Sequence, residues 1–263
     1  MKTLALVGCG KLANIVVDAL LNGLLPDYTM IGAYSRTPEK VQNLVDKFQA
    51  DGHHICVPCQ TLDELIELKP DYIIEMASPQ AMRDLALPAL QAGISIVTLS
   101  IGALSDTEFY QKVEVTAYQN KARVHLVPGA IGGFDVMRTA ALMGECDVSF
   151  QTKKGPNSLK GTPVYTEELQ KQTHQVFEGN AIDAIALFPT RVNVAVAASL
   201  ASVGPEKVDV SIQSIPNYVG DDHRIEIKND QVQAVIDVYS KTSDIAGWSV
   251  VNTLRNITSA IVF

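Results

Sequence analysis

Thr3-Leu-Ala-Leu-Val-Gly8-Cys9-Gly10-Lys11-Leu12-Ala13-Asn14 passes from an unbroken apolar run through two glycines into the apolar-periodic Ile15-Val-Val-Asp18-Ala-Leu-Leu21. A short apolar run, a glycine turn and a helical period form the opening of a βαβ unit with the spacing G-x-G-x-x-A. Gly8 permits a sharp turn off the strand, Gly10 lets a phosphate approach the backbone, and Ala13 lets the helix sit close on the sheet. The first-turn amides and the helix dipole then face an anion, which points to a dinucleotide. Gly8, Gly10, Lys11 and Leu12 are the candidate cofactor contacts of this turn.

A second strand, Met30-Ile-Gly-Ala-Tyr34, follows at the distance a βαβ crossover needs, with a helix from about Glu39. The residue leaving that strand selects the cofactor. A carboxylate there suits the ribose 2′-hydroxyl of NAD, whereas a 2′-phosphate wants a cation and hydroxyls. The chain has Ser35-Arg36-Thr37. This favours NADP, with NAD as the second choice, and places Ser35 and Arg36 at the 2′-phosphate, with Thr37 a further cofactor contact. A solvated turn before Pro38 is the plainer alternative.

With 263 residues, the chain can bury one large core or two modest ones. A net charge of −8 argues against general binding to nucleic acid. The first apolar run is only Leu4 to Val7, and the uncharged stretch Val192 to Pro205 is too short and too rich in small residues to span a bilayer. A cytoplasmic protein without membrane contact is expected. Cys56-Val-Pro-Cys59, after His53-His54, lacks the second ligand pair of a zinc site and the helix start of a redox pair, so plain thiols and no metal are expected.

Strand and helix alternate through the first half: a helix at about Glu39–Ala50, a short strand near Ile55–Val57, a helix at about Leu62–Leu68 behind the Thr61-Leu-Asp-Glu64 capping box, the strand Asp71–Ala77, a helix at about Gln80–Ala92, and the strand Ser95–Ser100. This pattern implies a Rossmann-type doubly wound parallel sheet with ligands at the carboxyl ends of its strands. Ala77, Ser78, Pro79, Ser100 and Gly102 stand at those ends and would border the nicotinamide ribose. From about Arg123 the pattern changes. The strands Val124–Pro128, Val148–Thr152, Val208–Gln213, Asp222–Ile227 and Val232–Val238 are expected with helices at about Val136–Met143, Asn180–Leu187 and Asn193–Val203, an α+β mixed-sheet catalytic domain. The expected division is 1–122 for the dinucleotide-binding domain, 123–239 for the α+β domain, and a helix within 240–263 that packs back on the first.

The series Ser100-Ile-Gly-Ala-Leu-Ser-Asp106, Pro128-Gly-Ala-Ile-Gly-Gly-Phe-Asp135, Lys154-Gly-Pro-Asn-Ser-Leu-Lys-Gly-Thr162, Phe177-Glu-Gly-Asn-Ala181 and Phe188-Pro-Thr-Arg-Val-Asn-Val-Ala195 resembles, in order and over essentially the whole chain, the L-aspartate dehydrogenase family. The resemblance implies a homodimeric oxidoreductase of amino-acid metabolism and NAD biosynthesis. It would convert L-aspartate, NADP+ or NAD+ and water, through iminosuccinate, into oxaloacetate, ammonia and reduced cofactor. It implies cofactor contacts at Ala130 and Asn193 and a catalytic histidine at His223. Three positions depart from the family pattern: Lys11 replaces a common Ala, Ser35 a frequent Asp, and Asp221 the Asn two residues before the histidine. A carboxylate at 221 is expected to raise the pKa of His223, and it sits awkwardly with a dianionic substrate.

Imine hydrolysis needs a group that takes and gives protons near neutral pH, which suits one histidine of the five. His53, His54, His125 and His174 carry no motif of their own. Two substrate carboxylates need donors. The amides of Gly129–Gly133 and the side chains of Lys154, Lys160, Thr162, Arg224 and Lys241 are candidates, each equally readable as a solvated surface group. Asn193 is also readable as a helix cap. Two further functions stay open at this point: a related reductase or dehydrogenase acting on another amino or keto acid, and a non-catalytic dinucleotide-binding protein.

Overall fold

The computed structural model describes residues 1–52, 55–188 and 192–263; the His53-His54 turn and the Pro189-Thr190-Arg191 part of the last motif lie outside them. The chain divides into a first unit of Met1–Val127 with Ala246–Phe263 and a second of Pro128–Ile245.

The first unit is a parallel six-stranded sheet. Its strands are β1 (Lys2–Val7), β2 (Tyr28–Tyr34), β3 (Val57–Cys59), β4 (Tyr72–Glu75), β5 (Ser95–Thr98) and β6 (Val124–Leu126), in the order β3-β2-β1-β4-β5-β6. Leu4, Ala5 and Leu6 are fully enclosed, as expected of a central strand covered on both faces. The crossover helices are α1 (Lys11–Leu21), α2 (Pro38–Asp51), α3 (Leu62–Glu67), α4 (Pro79–Gln91) and α5 (Thr107–Gln119). Three of these helices bury a 3–4 spaced stripe: Ala13, Val16, Val17 and Leu20 in α1, Val41, Leu44, Val45 and Phe48 in α2, and Met82, Leu85, Ala86 and Ala89 in α4. Thr61 caps α3 by accepting from Glu64 N, and Glu64 returns to Gln60 N, so the capping box forms with one residue of offset.

Val124–Leu126 belongs to this first sheet, not to the second domain. Its residues pair in parallel with β5 through Ile96↔Val124 and Thr98↔Leu126. The edge of an open sheet accepts one more strand without changing the pattern along the chain, so the sequence carries no sign of the switch.

The second unit is a mixed five-stranded sheet. Its strands are β7 (Asp147–Lys154), β8 (His174–Asn180), β9 (Asp209–Ser214), β10 (Asp221–Lys228) and β11 (Gln233–Ser240), in the order β11-β10-β7-β9-β8; β7 and β9 run parallel and the other pairs antiparallel. Helices α6 (Phe134–Met143), α7 (Ala181–Leu187) and α8 (Asn193–Leu200) accompany it, with α6 against β10 and α7 against β9. The closing helix α9 (Asp244–Thr258) buries Val250, Val251 and Leu254. Its Gly247 sits so near α1 that a Cβ would lie 2.7 Å from Ile15 Cδ1 and 3.1 Å from Leu12 O. Tyr28 Oη donates to Leu254 O at 2.8 Å, fastening β2 to α9.

Candidate active site

The turn after β1 has the form an anion cradle needs. Gly8 takes φ +95°, and a Cβ there would lie 2.8 Å from Ala77 N; at Gly10 a Cβ would meet nothing within 4 Å. Gly10 occupies the cap position of α1 with no side chain bonded to it, and the first turn contains no acidic residue. Bare first-turn amides with open space before them fit a pyrophosphate. Lys11 is exposed on this turn, and Leu12 is half-buried.

At the carboxyl ends of β2 and β3, Tyr34, Ser35, Arg36, Gln42, Cys59 and Gln60 line a cavity of about 570 Å³. Glu39 is the one carboxylate on its wall among the described residues. Arg36 and Thr37 are exposed, and Ser35 Oγ accepts from Thr37 N at 3.4 Å. A guanidinium and hydroxyls at the mouth of this cavity suit a 2′-phosphate.

Ser78 and Ser100 have internal partners. Ser78 caps α4, accepting from Ala81 N at 3.1 Å, with Pro79 in the first turn where its missing N–H costs nothing. Ser100 Oγ donates to Glu75 Oε1 at 3.0 Å. Gly102 lies in the helical turn Ile101–Ser105, its carbonyl accepting from Ser105 Oγ at 2.9 Å. Burial lifts the thiols at the same sheet end: Cys9 to about 11, Cys56 to about 12, and Cys59 in the same direction. All three are therefore protonated, unreactive groups at neutral pH.

In the second unit, cross-strand register gathers polar side chains at one end of a single face. Lys154 on β7 stands opposite Asp221 on β10 and Ser214 on β9, Ser214 stands opposite His174 on β8, and Asp221 stands opposite Ser240 on β11. One row inward, His223 stands opposite Thr152. Directly opposed residues share a face, so these groups form a cluster. His223, Thr152, Lys154 and Ser214 are all at least nineteen-twentieths buried. Lys154 Nζ lies 3.6 Å from Asp221 Oδ1, and the His223 ring stacks on Phe150 with centroids 5.7 Å apart. His223 Nδ1, Thr152 Oγ1, Ser214 Oγ and His174 Nε2 are enclosed without a hydrogen-bond partner among the described residues. Buried polar atoms of this kind need a hydrogen-bond partner, which a polar substrate could supply.

The expected rise in the His223 pKa is reversed. It falls to about 4, because burial penalises the imidazolium and the Lys154 ammonium repels it; Asp221 and Asp222 pull the other way and lose. Asp221 faces Lys154, and Asp222 faces Lys153 at 3.4 Å, so each carboxylate has a cation beside it.

Of the other candidate carboxylate donors, Arg224 points to the opposite face and pairs with Asp237 at 2.7 Å, Lys160 lies over the Tyr165 ring, and Thr162 Oγ1 donates to Leu159 O. Lys241 borders a separate cavity of about 260 Å³ with Tyr218 and Asp221. Gly133, at φ +74°, takes the cap position of α6; Ala130 is half-buried just before it. Asn193 is the first residue of α8, and Val192 holds the cap position, so Asn193 does not cap its helix.

Sequence reading missed Thr152, Ser214 and His174. The available signal is that the apolar alternation Val148-x-Phe150 and Val210-x-Ile212 hands over to Thr152-x-Lys154 and Ser214, while Ile227-x-Ile225 hands over to His223-x-Asp221. Only the register of five strands brings those positions to one end.

Two family models meet near the end of the first sheet, and the second runs on through most of α9, which packs in the first unit. Residues 8–127 match the family model described as homoserine dehydrogenase, NAD binding domain, and residues 135–257 the model described as aspartate dehydrogenase, C-terminal. An L-aspartate dehydrogenase of Acinetobacter baylyi is 32% identical over 99% of both chains, and one of Methanococcus maripaludis 30% over 99% of this chain and 98% of its own. The crystal structure of an aspartate dehydrogenase of Thermotoga maritima superposes with a TM-score of 0.77 at 25% identity, covering 100% of this chain and 99% of that one. By sequence along its whole length and by fold in both units, the chain belongs to the L-aspartate dehydrogenase family.

Proposed function

We propose that the protein is an NADP-preferring L-aspartate dehydrogenase, converting L-aspartate, NADP+ and water into oxaloacetate, ammonia, NADPH and a proton, with NAD+ as a poorer cofactor. The observation that carries this reading is a neutral histidine enclosed beside a buried ammonium in a chain of this family. The residues that would hold the cofactor are Gly8, Gly10, Lys11 and Leu12 at the pyrophosphate, Ser35, Arg36 and Thr37 at the 2′-phosphate, Ala77, Ser78, Pro79, Ser100 and Gly102 by the nicotinamide ribose, and Ala130 and Asn193 in the second unit. When bound, the cofactor supplies the acceptor for the hydride that leaves the substrate Cα.

His223 is the proton carrier. It takes a proton from the water that attacks iminosuccinate and returns it to the departing nitrogen. With a pKa near 4 the imidazole is neutral across the physiological range and ready to accept. Lys154, with Ser214 in its own row and Thr152 one row inward, holds a substrate carboxylate, and Asp221 keeps that ammonium oriented before the substrate arrives. The two open hydroxyls beneath it support an oxygen-rich anion rather than an apolar side chain. The family resemblance supports a homodimer working in the cytoplasm.

A substrate and cofactor panel tests the reading. Aspartate with NADP+ is expected to give the highest kcat/KM, and the His223→Ala variant is expected to bind cofactor but turn over slowly. Good turnover of another amino acid with none of aspartate would favour the second reading, a related dehydrogenase whose Asp221 marks an altered specificity.

A further inference from the structure

Glu75 ends β4 with no accessible surface, and its carboxylate is saturated by donors. Oε1 accepts from Ala77 N at 2.9 Å, Ser78 N at 3.0 Å and Ser100 Oγ at 3.0 Å, while Oε2 accepts from Thr98 Oγ1 at 2.7 Å. Ser100 N closes the ring onto Thr98 Oγ1 at 2.9 Å. Burial raises the Glu75 pKa on balance, and the four donors pull against it; two of them are backbone amides, which cannot reverse to accept from a carboxylic acid and so favour the ionised form. Among the described residues no lysine, arginine or histidine pairs with it. The negative charge is met instead by these donors and by the amino end of α4, which begins four residues later at Pro79.

A bare structural tie between two loops needs no charge; a serine or an amide would serve. The loops tied here, 76–79 and 98–102, are the ones assigned above to the nicotinamide ribose, and the inference rests on that assignment. The two forms of the cofactor differ at the ring by one positive charge, carried by the oxidised form. A fixed, enclosed negative charge near that ring holds the cation more tightly than the neutral form.

We propose that Glu75 is a positioning residue with an electrostatic role: it shapes the two loops that receive the nicotinamide ribose, and its charge biases the site toward the oxidised cofactor. Its substitution therefore changes the ratio of the two affinities as well as their size. A unit charge acting on another across about 10 Å, at an effective dielectric of about 20, changes such a ratio by about tenfold.

The test is calorimetric titration of NADP+ and NADPH into the full chain and into Glu75→Gln and Thr98→Val. Glu75→Gln keeps the shape and removes the charge; the ratio Kd(NADP+)/Kd(NADPH) is expected to rise about tenfold. Thr98→Val removes one donor and keeps the charge; both affinities are expected to weaken in parallel with the ratio held within about twofold. An unchanged ratio in Glu75→Gln, or an equal change in Thr98→Val, overturns the inference. Failure of the unsubstituted protein to bind either cofactor overturns the underlying cofactor assignment instead. Should Glu75→Gln not fold, the carboxyl 13C signal of Glu75 in the unsubstituted protein decides. A carboxylate at neutral pH in both cofactor complexes is expected, and a protonated acid overturns the proposal.

Discussion

His223 owes its chemistry to its surroundings. Burial and the Lys154 ammonium lower its pKa to about 4, and Asp221 recovers only part of the loss. A histidine that must be neutral to accept a proton then works down to low pH. The acid limb of kcat/KM is expected near pH 4 rather than 6.5, measured across buffers of constant ionic strength. Lys154→Met removes the repulsion and should move that limb upward while raising the KM for aspartate; Asp221→Asn should move it further down. His223→Ala should cost about 10²–10⁴ in kcat with cofactor affinity kept. The same shift has a consequence for stability. Between pH 6.5 and about 4 the unfolded chain binds a proton that the folded state refuses, so stability falls as pH drops through that window. At the other site, Arg36 stands at the mouth of the cavity beyond β2, and Arg36→Ala should raise the KM for NADP+ by tenfold or so while leaving that for NAD+ nearly unchanged, the loss of one charge-assisted contact.

Among the elements, the turn after β1 tolerates least. Gly8→Ala forces a side chain into φ +95° and against Ala77, so it should lower the melting temperature and abolish cofactor binding together. Gly247→Ala, where α9 meets α1, should cost about 1–3 kcal/mol by denaturant unfolding and leave substrate KM alone, since Ile15 must move to admit a methyl group. These are also the elements that the sequence declares most plainly. The first sheet is legible because its strands are buried on both faces and its helices carry strict stripes such as Val41, Leu44, Val45 and Phe48. α5 escapes such reading because it buries only Val113 and Ala117 and is rich in valine, threonine and aromatic residues that favour strands. β8 escapes it because a register shift between Gln175 and Phe177 breaks the alternation. His223 is legible through its motif, whereas its pKa is not: the sequence shows Asp221 two residues away but not Lys154, which strand pairing brings opposite Asp221 and near the ring.

For the whole molecule, a net charge of −8 means that affinity for an anionic cofactor and a dianionic substrate rests on local donors rather than on the overall field. No helix among the described residues is long and apolar enough to cross a membrane. The outer face of β11 shows Val235 and Tyr239 to solvent, and sedimentation is expected to give a species of twice the chain mass; a monomer at micromolar concentration would remove the homodimer from the proposal. A glycine turn with bare first-turn amides in one unit and an enclosed histidine beside a buried ammonium in the other fit the proposed hydride-transferring deaminase. The direct test is to supply L-aspartate deuterated at Cα with NADP+ and weigh the reduced cofactor by mass spectrometry. One deuterium per molecule of NADPH formed is expected; reduced cofactor without the label, or none formed with either NADP+ or NAD+, would contradict it.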